Sequence, residues 1–368
     1  MDRFELCAPC LFGIEGILGD ELRRLGMENV RAETGRVFFS GGYDALAAAN
    51  QALSTAERVM ISVGSFEAAT FEELFEGVRA LPWDRYIPRG CAFPVKGSSL
   101  DSRLGSVPAC QSIIKKAVAE KLGGGLVPET GPRHQIRFTL MRDKAALYID
   151  TSGEGLHKRG YRAVGNAAPL RETLAAAMVK LARFRGKGAF LDPFCGSGTI
   201  PIEAAFAALN RAPGLFRRFD AMDWPEFPRK IWTESADRLR AGEYRGEYYI
   251  MGSDIDPRSI SIAEGNALKA GVSEFINFEV KDAGEIRVPE GATVVTNPPY
   301  GERIMEKREA EEVYRSFGQA AAASDKAKYF VLSSHTEFER AFGRRADKKR
   351  KLYNGMIKCD LFMYFENR

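Results

Sequence analysis

From residue 166 onward, short apolar segments alternate with helical patterns, and this alternation constrains the fold more than any other feature of the chain. The apolar segments are short and rich in β-branched or aromatic residues, as strands are. The predicted strands are 188–191, 248–252, 275–280, 293–296 and 329–332, and the predicted helices between them are 200–209, 259–270 and 309–323. Such alternation predicts a parallel, doubly wound sheet with right-handed crossovers. The final segment, 356–365, is predicted to be an edge strand preceded by a hairpin partner.

The residues before this region are organised differently, as two small α+β units followed by a connector. A strand–helix–strand–strand–helix order over 1–65 suggests a ferredoxin-like arrangement. A second α+β unit covers 66–152, and the glycine-rich, basic stretch after it is interpreted as an interdomain connector. The expected helices are 15–25, 45–53 with Asp44 as its cap, 71–81 and 110–122, and the expected strands of the second unit are 91–95, 135–140 and 145–150, with 96–99 as a loop.

Composition excludes several classes of protein. Hydrophobic residues make up 45% and charged residues 28% of the 368 residues, which is typical of globular proteins and excludes a mainly disordered or fibrous chain. No apolar run approaches the roughly 20 residues that cross a bilayer, and no export signal is seen at the start. Six cysteines are too few for a disulfide scaffold. We therefore expect a soluble, cytoplasmic protein.

The net charge of +4 is unevenly distributed. The first 60 residues are acidic, whereas 61–165 and the end of the chain are basic. Residues 340–358 contain eight Lys or Arg and one acid, Asp347. Such a run is either a solvated loop or hairpin, or the phosphate-facing edge of a nucleic-acid site.

The loops at the predicted strand ends carry the candidate chemistry, because ligands of open α/β sheets bind at the carboxyl ends of the strands. The first loop contains two glycines that let a ligand approach the backbone at a helix start. Its residues are Asp192, Pro193, Phe194, Cys195, Gly196, Ser197, Gly198 and Thr199. It is not a Walker loop, since no Lys follows the glycines. Alone, it fits a structural turn equally well, and a covalent role for Cys195 is not expected.

Acids follow the next two strands. Asp254 ends the second strand, where a carboxylate can accept both hydroxyls of a ribose. Asp256, directly before Pro257, is better interpreted as a helix cap. Asp282, after the third strand, can accept a hydrogen bond from an exocyclic amine, although alone it would be an ordinary surface acid.

The fourth loop is the most informative motif. It consists of Asn297, Pro298, Pro299 and Tyr300 after an apolar strand. The two prolines stiffen the turn and remove two N–H donors, which leaves carbonyls and the Asn297 amide to face a planar amino group. Tyr300 is available to stack on the ring that carries that group. Asn-Pro also begins ordinary turns, but this loop combined with the glycine loop is rare by chance.

With these motifs, the sequence resembles class I S-adenosyl-L-methionine-dependent methyltransferases that methylate amino groups. More narrowly, it is similar to the THUMP-domain RNA guanine-N2 methyltransferases of ribosomal RNA, which are often labelled N6-adenine DNA methylases. The resemblance covers essentially the whole chain, including 93–97, 111–113, 156–162 and 169–174. It implies an α/β class I methyltransferase sheet, mostly parallel with an antiparallel edge strand, preceded by α+β domains. The implied parts are a ferredoxin-like domain (1–65), a THUMP RNA-binding domain (66–152), a connector (153–165) and a methyltransferase domain (166–368).

The resemblance also implies roles for the loop residues. Asp192 and residues 194–199 would lie against the methionine part of S-adenosyl-L-methionine, with Pro193, Leu170, Arg171 and Ala283 also in the cofactor site. Asp254 would hold the ribose, Ile255 would pack on the adenine, and Asp282 would bind its amine. Asn297 and the Pro298 carbonyl would hold the target amine. S-adenosyl-L-homocysteine would be the product, no metal is needed, and the base must leave its stack.

The expected partner is RNA, bound by cations of the two basic regions. We expect no membrane association and no obligate protein partner, and we favour a monomer. The candidate contacts are Lys96, Arg103, Lys115, Lys116, His157, Lys158, Arg159, Arg162, Lys348, Lys349, Arg350 and Lys351. His157 is equally compatible with domain packing. Alternatives are N6-adenine methylation of DNA or RNA, guanine-N2 methylation of tRNA, and a non-catalytic RNA assembly factor. The THUMP resemblance of the first half favours RNA.

Overall fold

Two seven-stranded sheets form the framework of the computed structural model, which describes residues 3–124, 130–162, 170–300, 304–324 (the backbone alone for 304–307) and 326–365. The first half contains β1 (Phe4–Pro9), α1 (Glu15–Arg24), β2 (Glu28–Glu33), β3 (Arg36–Gly41), α2 (Tyr43–Ala52), β4 (Met60–Glu67), α3 (Phe71–Ala80), β5 (Val95–Leu100), α4 (Val107–Lys121), β6 (Ile136–Met141) and β7 (Lys144–Asp150). None of the described helices is long and apolar enough to cross a membrane.

The second half continues with strands and helices in alternation. Its elements are α5 (Glu172–Leu181), β8 (Ala189–Asp192), α6 (Thr199–Leu209), α7 (Arg229–Ala241), β9 (Tyr249–Asp254), α8 (Pro257–Lys269), β10 (Ile276–Val280), β11 (Thr293–Thr296), α9 (Ile304–Ala322), β12 (Lys328–Ser333), α10 (Phe338–Phe342), β13 (Lys348–Asn354) and β14 (Ile357–Tyr364). The five strands predicted from the alternation are all present. Part of the predicted connector, 163–165, lies outside the described residues.

The second sheet has the order β10-β9-β8-β11-β12-β14-β13, and its first five strands are parallel. β14 pairs antiparallel with both β12 and β13. The prediction that the final strand lies at the edge is therefore wrong, because β13 covers it. The burial of the two strands explains their positions: residues 361–364 of β14 are buried, whereas the charged residues of β13 are mostly exposed. Charged side chains protect an edge strand from pairing with other chains.

The first sheet has the order β2-β3-β1-β4-β7-β6-β5 and is continuous across the whole first half. β4 pairs with β1 on one side and with β7 on the other. The predicted domain boundary at 65/66 thus falls inside a strand that the two α+β units share. The strand and helix order before this point is the predicted one.

Two local predictions in the first half are wrong. The strand lies at Val95–Leu100 rather than at 91–95, because β5 is an edge strand whose side chains alternate between exposed and half-buried. Gly97 belongs to this strand. A side chain would not fit there, because a Cβ would lie 2.3 Å from the Phe138 carbonyl oxygen. Asp44 does not cap α2: the helix begins at Tyr43, and Gly42 is the residue that precedes it.

A buried guanidinium joins the two halves. Arg159 and Glu203 are both buried, with 3.2 Å between Arg159 Nε and Glu203 Oε1. Arg159 also donates to the carbonyl oxygens of Leu156 (2.7 Å) and Ser54 (2.5 Å). It therefore connects the first half, the connector and α6. Burial raises the pKa of Glu203 to about 7, and the adjacent guanidinium opposes this rise, which favours the ionised carboxylate.

We expect Arg159→Met to lower the free energy of unfolding by about 3–5 kcal/mol, because it leaves a carboxyl buried without its partner. The double variant R159M/E203L should recover most of that loss, since it buries no unpaired charge. Thermal and urea unfolding of the purified protein measure both effects. A double variant no more stable than Arg159→Met would contradict this role of the pair.

Candidate functional site

The carboxyl ends of four neighbouring strands bring the predicted site residues together. Asp192 ends β8, Asp254 ends β9, Asp282 follows β10, and Asn297 follows β11. The strand order reverses between β8 and β11, which lie side by side in the sheet. This is the topological switch point at which open α/β sheets bind ligands.

The glycine loop, residues 192–199, is held by two hydrogen bonds to its own backbone. The Cys195 N–H donates to the Ser253 carbonyl of β9 (2.9 Å), and Asn266 of α8 donates to the Ser197 carbonyl (2.9 Å). Gly198 has φ +81°, and a Cβ there would lie 3.0 Å from the Ala263 Cβ, so this position requires glycine. A Cβ on Gly196 would meet nothing within 4 Å. The backbone of Gly196 is therefore open to an approaching group.

Asp254 lies beside this opening. Its Oδ2 accepts from the Gly196 N–H and its Oδ1 from the Asp256 N–H, both at 3.0 Å. Ile255 follows with its side chain 68% exposed, an apolar surface next to a fixed carboxylate. Asp256 caps α8 by accepting from the Arg258 N–H at 3.0 Å, which confirms its predicted role.

Asp192 is the buried acid of the site. It accepts hydrogen bonds from the Thr296 hydroxyl (2.6 Å) and the Phe194 N–H (3.2 Å) through Oδ1. Burial raises the pKa of Asp192 to about 7, and the charge of Asp254 adds to the effect. Burial also raises the pKa of the Cys195 thiol, so this sulfur stays protonated and is a poor nucleophile.

The Asn-Pro-Pro-Tyr loop is fixed by hydroxyl groups. Tyr300 donates to Asn297 Oδ1, and Tyr314 of α9 donates to the Pro299 carbonyl at 2.5 Å. The side-chain Nδ2 of Asn354, at the end of β13, lies 3.5 Å from the Tyr300 hydroxyl oxygen. Tyr300 is half-buried against the core, and burial raises its pKa, so its hydroxyl remains a donor. Pro298 is buried and Asn297 half-buried.

The remaining predicted cofactor residues are Asp282, Ala283, Leu170 and Arg171, and they make separate contacts. Asp282 is exposed and accepts from the Gly284 N–H at 2.7 Å, while Ala283 is buried. Leu170 and Arg171 lie at the start of α5. The Arg171 guanidinium lies 3.2 Å from the Glu57 carboxylate of the first half.

The candidate RNA contacts divide by exposure. The exposed cations are Lys96, Arg103, Lys116, Lys158, Lys348, Lys349 and Lys351, and the half-buried ones are Lys115, His157, Arg162 and Arg350. The prediction for Arg159 is wrong, because its guanidinium is buried against Glu203. Two of the half-buried cations bond within the protein: Arg162 donates to the Thr199 hydroxyl at 2.5 Å, and Arg350 donates to the Gly13 carbonyl at 3.0 Å. Several of the exposed cations pair with carboxylates, as Lys349 does with Glu339 at 2.7 Å.

Several residues that shape the site were missed by the sequence reading. Thr296 joins the Asn-Pro-Pro-Tyr loop to the glycine loop through Asp192, Asn266 supports the glycine loop, and Tyr314 supports the Asn-Pro-Pro-Tyr loop. Only Thr296 had a signal, as the polar end of an apolar strand beside the loop. In the part of the chain that the structure describes, no group of three or more His, Cys, Asp or Glu is arranged to hold a metal ion.

Three family models match consecutive parts of the chain. A ferredoxin-like domain model of the RlmL type matches residues 5–60, a THUMP domain model matches 68–150, and an RMKL-like methyltransferase domain model matches 159–362. Fold and site together define a class I methyltransferase carrying these two N-terminal domains. The chain belongs to the RMKL-like methyltransferase family.

The chain is similar to named relatives along its whole length. It is 42% identical over 375 residues to YpsC of Bacillus subtilis (strain 168), whose name describes it as a candidate RNA methyltransferase, covering 99% of this chain and 97% of that one. It is 33% identical over 372 residues to the ribosomal RNA large subunit methyltransferase K/L of Psychromonas ingrahamii, covering 97% of this chain but 49% of that protein. The chain thus spans about half the length of this second relative.

A solved relative connects the site to its cofactor. SMU.472, described as a methyltransferase and solved in complex with SAH, superposes with a TM-score of 0.94 at 39% identity, covering 100% of this chain and 99% of that one. S-adenosyl-L-methionine is the cofactor of this family. The open backbone at Gly196, the carboxylate of Asp254 and the exposed Ile255 fit such a group, with its polar and apolar parts.

The raised pKa of Asp192 predicts a pH dependence of stability. The folded protein keeps the proton on Asp192 up to about pH 7, whereas the unfolded chain releases it near the ordinary value of 3.8. The contribution of Asp192 to stability should therefore fall as the pH rises from about 4 to 7, by roughly 4 kcal/mol, and then level off.

Asp192→Asn keeps an oxygen acceptor for Thr296 and should remove this component of the pH profile. Unfolding by urea between pH 5 and 8, compared with wild type, measures the difference. Parallel pH profiles for the two proteins would show that Asp192 titrates normally.

Proposed function

We propose that the protein transfers a methyl group from S-adenosyl-L-methionine to the exocyclic N2 amine of a guanine in RNA, with large-subunit ribosomal RNA as the substrate. One observation carries the proposal: the hydrogen bond from Thr296 to Asp192 joins the amine-facing loop to the cofactor loop on adjacent strands. A methyl donor and an amine acceptor held by these loops would meet at one point. The names of the YpsC and K/L relatives support RNA as the substrate class.

The cofactor would be held by residues of the first three strand ends. Asp192 and residues 194–199 would face the methionine part, with Pro193, Leu170, Arg171 and Ala283 around them. Asp254 would accept the ribose hydroxyls, Ile255 would cover the adenine, and Asp282 would accept its amine. When bound, the cofactor supplies a methyl group activated by its sulfonium.

The fourth loop would orient the nucleophile. The lone pair of an exocyclic base amine is delocalised into the ring, so the amine needs acceptors for its hydrogens. Asn297 Oδ1 has two acceptor positions, of which Tyr300 occupies one, and the Pro298 carbonyl is the second group that can accept. The enzyme would then act mainly by orientation and polar preorganisation, with Pro299 and Tyr300 shaping the pocket.

The first half would deliver the RNA. We divide the chain into the ferredoxin-like domain (1–65), the THUMP domain (66–152), the connector (153–165) and the methyltransferase domain (166–368). The exposed cations of the THUMP domain and of β13 would contact phosphates from two sides, and the target base would leave its stack to reach the pocket. We place this activity in the cytoplasm.

The alternatives differ in the product that they would form. Asn297 and the prolyl carbonyls would accept from an adenine N6 amine as well as from a guanine N2 amine. The matched THUMP domain favours RNA over DNA, and the intact cofactor loops argue against a non-catalytic assembly factor. Guanine-N2 methylation of a tRNA would leave the same nucleoside in a different RNA.

Asn297→Ala should abolish methyl transfer while changing cofactor affinity by no more than severalfold, because Asn297 faces the amine rather than the cofactor loops. The assay uses radiolabelled S-adenosyl-L-methionine and ribosomal RNA from a strain that lacks the gene, followed by nucleoside analysis. Calorimetric titration of the cofactor into both proteins is the control.

Comparable transfer by wild type and Asn297→Ala would contradict the role of this residue. A labelled N6-methyladenosine in place of N2-methylguanosine would favour the adenine alternative. Failure of the wild-type protein to bind the cofactor would revive the assembly factor.

A further inference from the structure

A cavity lies between the connector and the long crossover after α6. It has a volume of about 760 Å³. Six Lys or Arg residues line it, among them Lys158, Arg217 and Arg218, against four Asp or Glu residues. This excess of positive charge favours an anionic ligand.

Arg217 bonds to main-chain carbonyls rather than to a carboxylate. Its guanidinium donates to three main-chain carbonyls, those of Glu154 (2.7 Å), Gly155 (2.7 Å) and Lys158 (2.9 Å). Among the described residues, no carboxylate lies within ion-pair distance of it. Burial, together with the nearby charge of Arg159, lowers the pKa of Arg217 to about 10, so an anion in the cavity would relieve an unfavourable environment.

Two further cations lie at the exposed edge of the cavity. The side chain of Lys158 is 58% exposed and that of Arg218 is 77% exposed. Each pairs with an exposed neighbour, Lys158 with Glu154 at 2.9 Å and Arg218 with Asp223 at 2.6 Å. Surface pairs of this kind contribute at most about 1 kcal/mol. Both cations can therefore exchange their partners for a phosphate at little cost.

An exposed aromatic side chain adjoins Arg217 in the sequence. Phe216 directly precedes Arg217 and is 61% exposed, although it is a large apolar side chain. Its carbonyl oxygen lies 3.7 Å from the position of a Cβ on Gly160, which lines the cavity. Aromatic rings beside cations are the usual platform for bases of single-stranded RNA.

The first half holds this segment in place. The Gly214 N–H donates to the Gln51 carbonyl at 2.8 Å, and the Ala221 N–H donates to the Thr151 carbonyl at 3.1 Å. The ring of Phe219 packs against Arg217, whose guanidinium carbon lies 5.0 Å from the ring centre. The aromatic and cationic side chains therefore project from a fixed backbone.

We propose that this cavity is a second RNA-binding site, which takes a single-stranded nucleotide through its phosphate and stacks the base on Phe216. Lys158, Arg217 and Arg218 contact the phosphate. The site adjoins the catalytic centre through Arg162, which lines the cavity and donates to the Thr199 hydroxyl behind the glycine loop. The inference rests on the proposed function and identifies a part of the RNA substrate that is not methylated.

The test measures binding of a fluorescein-labelled single-stranded RNA of roughly twelve nucleotides to the full chain by anisotropy, as a function of salt. The double variant K158Q/R218Q should weaken binding severalfold and reduce the slope of log affinity against log salt by up to about 0.7, since each neutralised phosphate of a single strand contributes about 0.7. Phe216→Ala should weaken binding by roughly tenfold with an unchanged slope, and Phe216→Trp should restore it.

Matched controls use residues elsewhere on the surface. The variant K326Q/R240Q removes two exposed cations that also pair with neighbouring carboxylates, and Tyr249→Ala removes a half-exposed ring at the amino end of β9. Both should bind RNA as the wild type does. Cofactor affinity, measured by calorimetry, should be unchanged in the cavity variants, which separates this site from the catalytic one.

Wild-type RNA affinity in K158Q/R218Q and in Phe216→Ala would overturn the proposal. So would binding of polyglutamate or inorganic pyrophosphate as tight as that of the RNA, which would indicate an acidic protein partner or a simple anion site. If the cavity variants behave as expected but the wild type transfers no methyl group to RNA, the proposed function fails and the RNA site stands.

Discussion

The buried guanidinium of Arg159 is the constraint on which the arrangement of the two halves depends. It bonds to a carbonyl of the first half, a carbonyl of the connector and the carboxylate of Glu203 on α6. Since α6 begins where the glycine loop ends, the same contact positions the first half relative to that loop. Removing one partner of such a buried pair is strongly destabilising, because it leaves an uncompensated charge.

The site itself depends on the reversal of strand order between β8 and β11. The reversal places two loops of different chemistry side by side, one with carboxylates and an open glycine, the other with acceptors stiffened by prolines. Thr296 connects them through Asp192, and Tyr314 fixes the proline turn from below. Acceptors are concentrated at the centre, and the exposed cations lie at the periphery. This distribution suits a cationic cofactor at the centre and a polyanion around it.

Much of this could be predicted from the sequence. Parallel strands buried on both faces are continuous apolar segments, and the loops at their ends are polar, so the parallel strands of the second sheet and the candidate loops at their ends could be predicted from local patterns. The predictions failed where contacts between residues distant in the sequence determine burial and strand position. Arg159 lies in a glycine-rich basic stretch that indicates a solvated connector, and only Glu203, 44 residues later, explains its burial. The edge strand β5 lacks the apolar run by which inner strands are recognised, and Arg217 and Phe216 lie in a crossover with no recognisable motif.

The most direct test is the modification state of ribosomal RNA in cells. Mass spectrometry of large-subunit ribosomal RNA from a strain lacking this gene should show the loss of N2-methylguanosine at one position, restored by the wild-type gene. An unchanged set of N2-methylguanosines, or the loss of an N6-methyladenosine instead, would contradict the account.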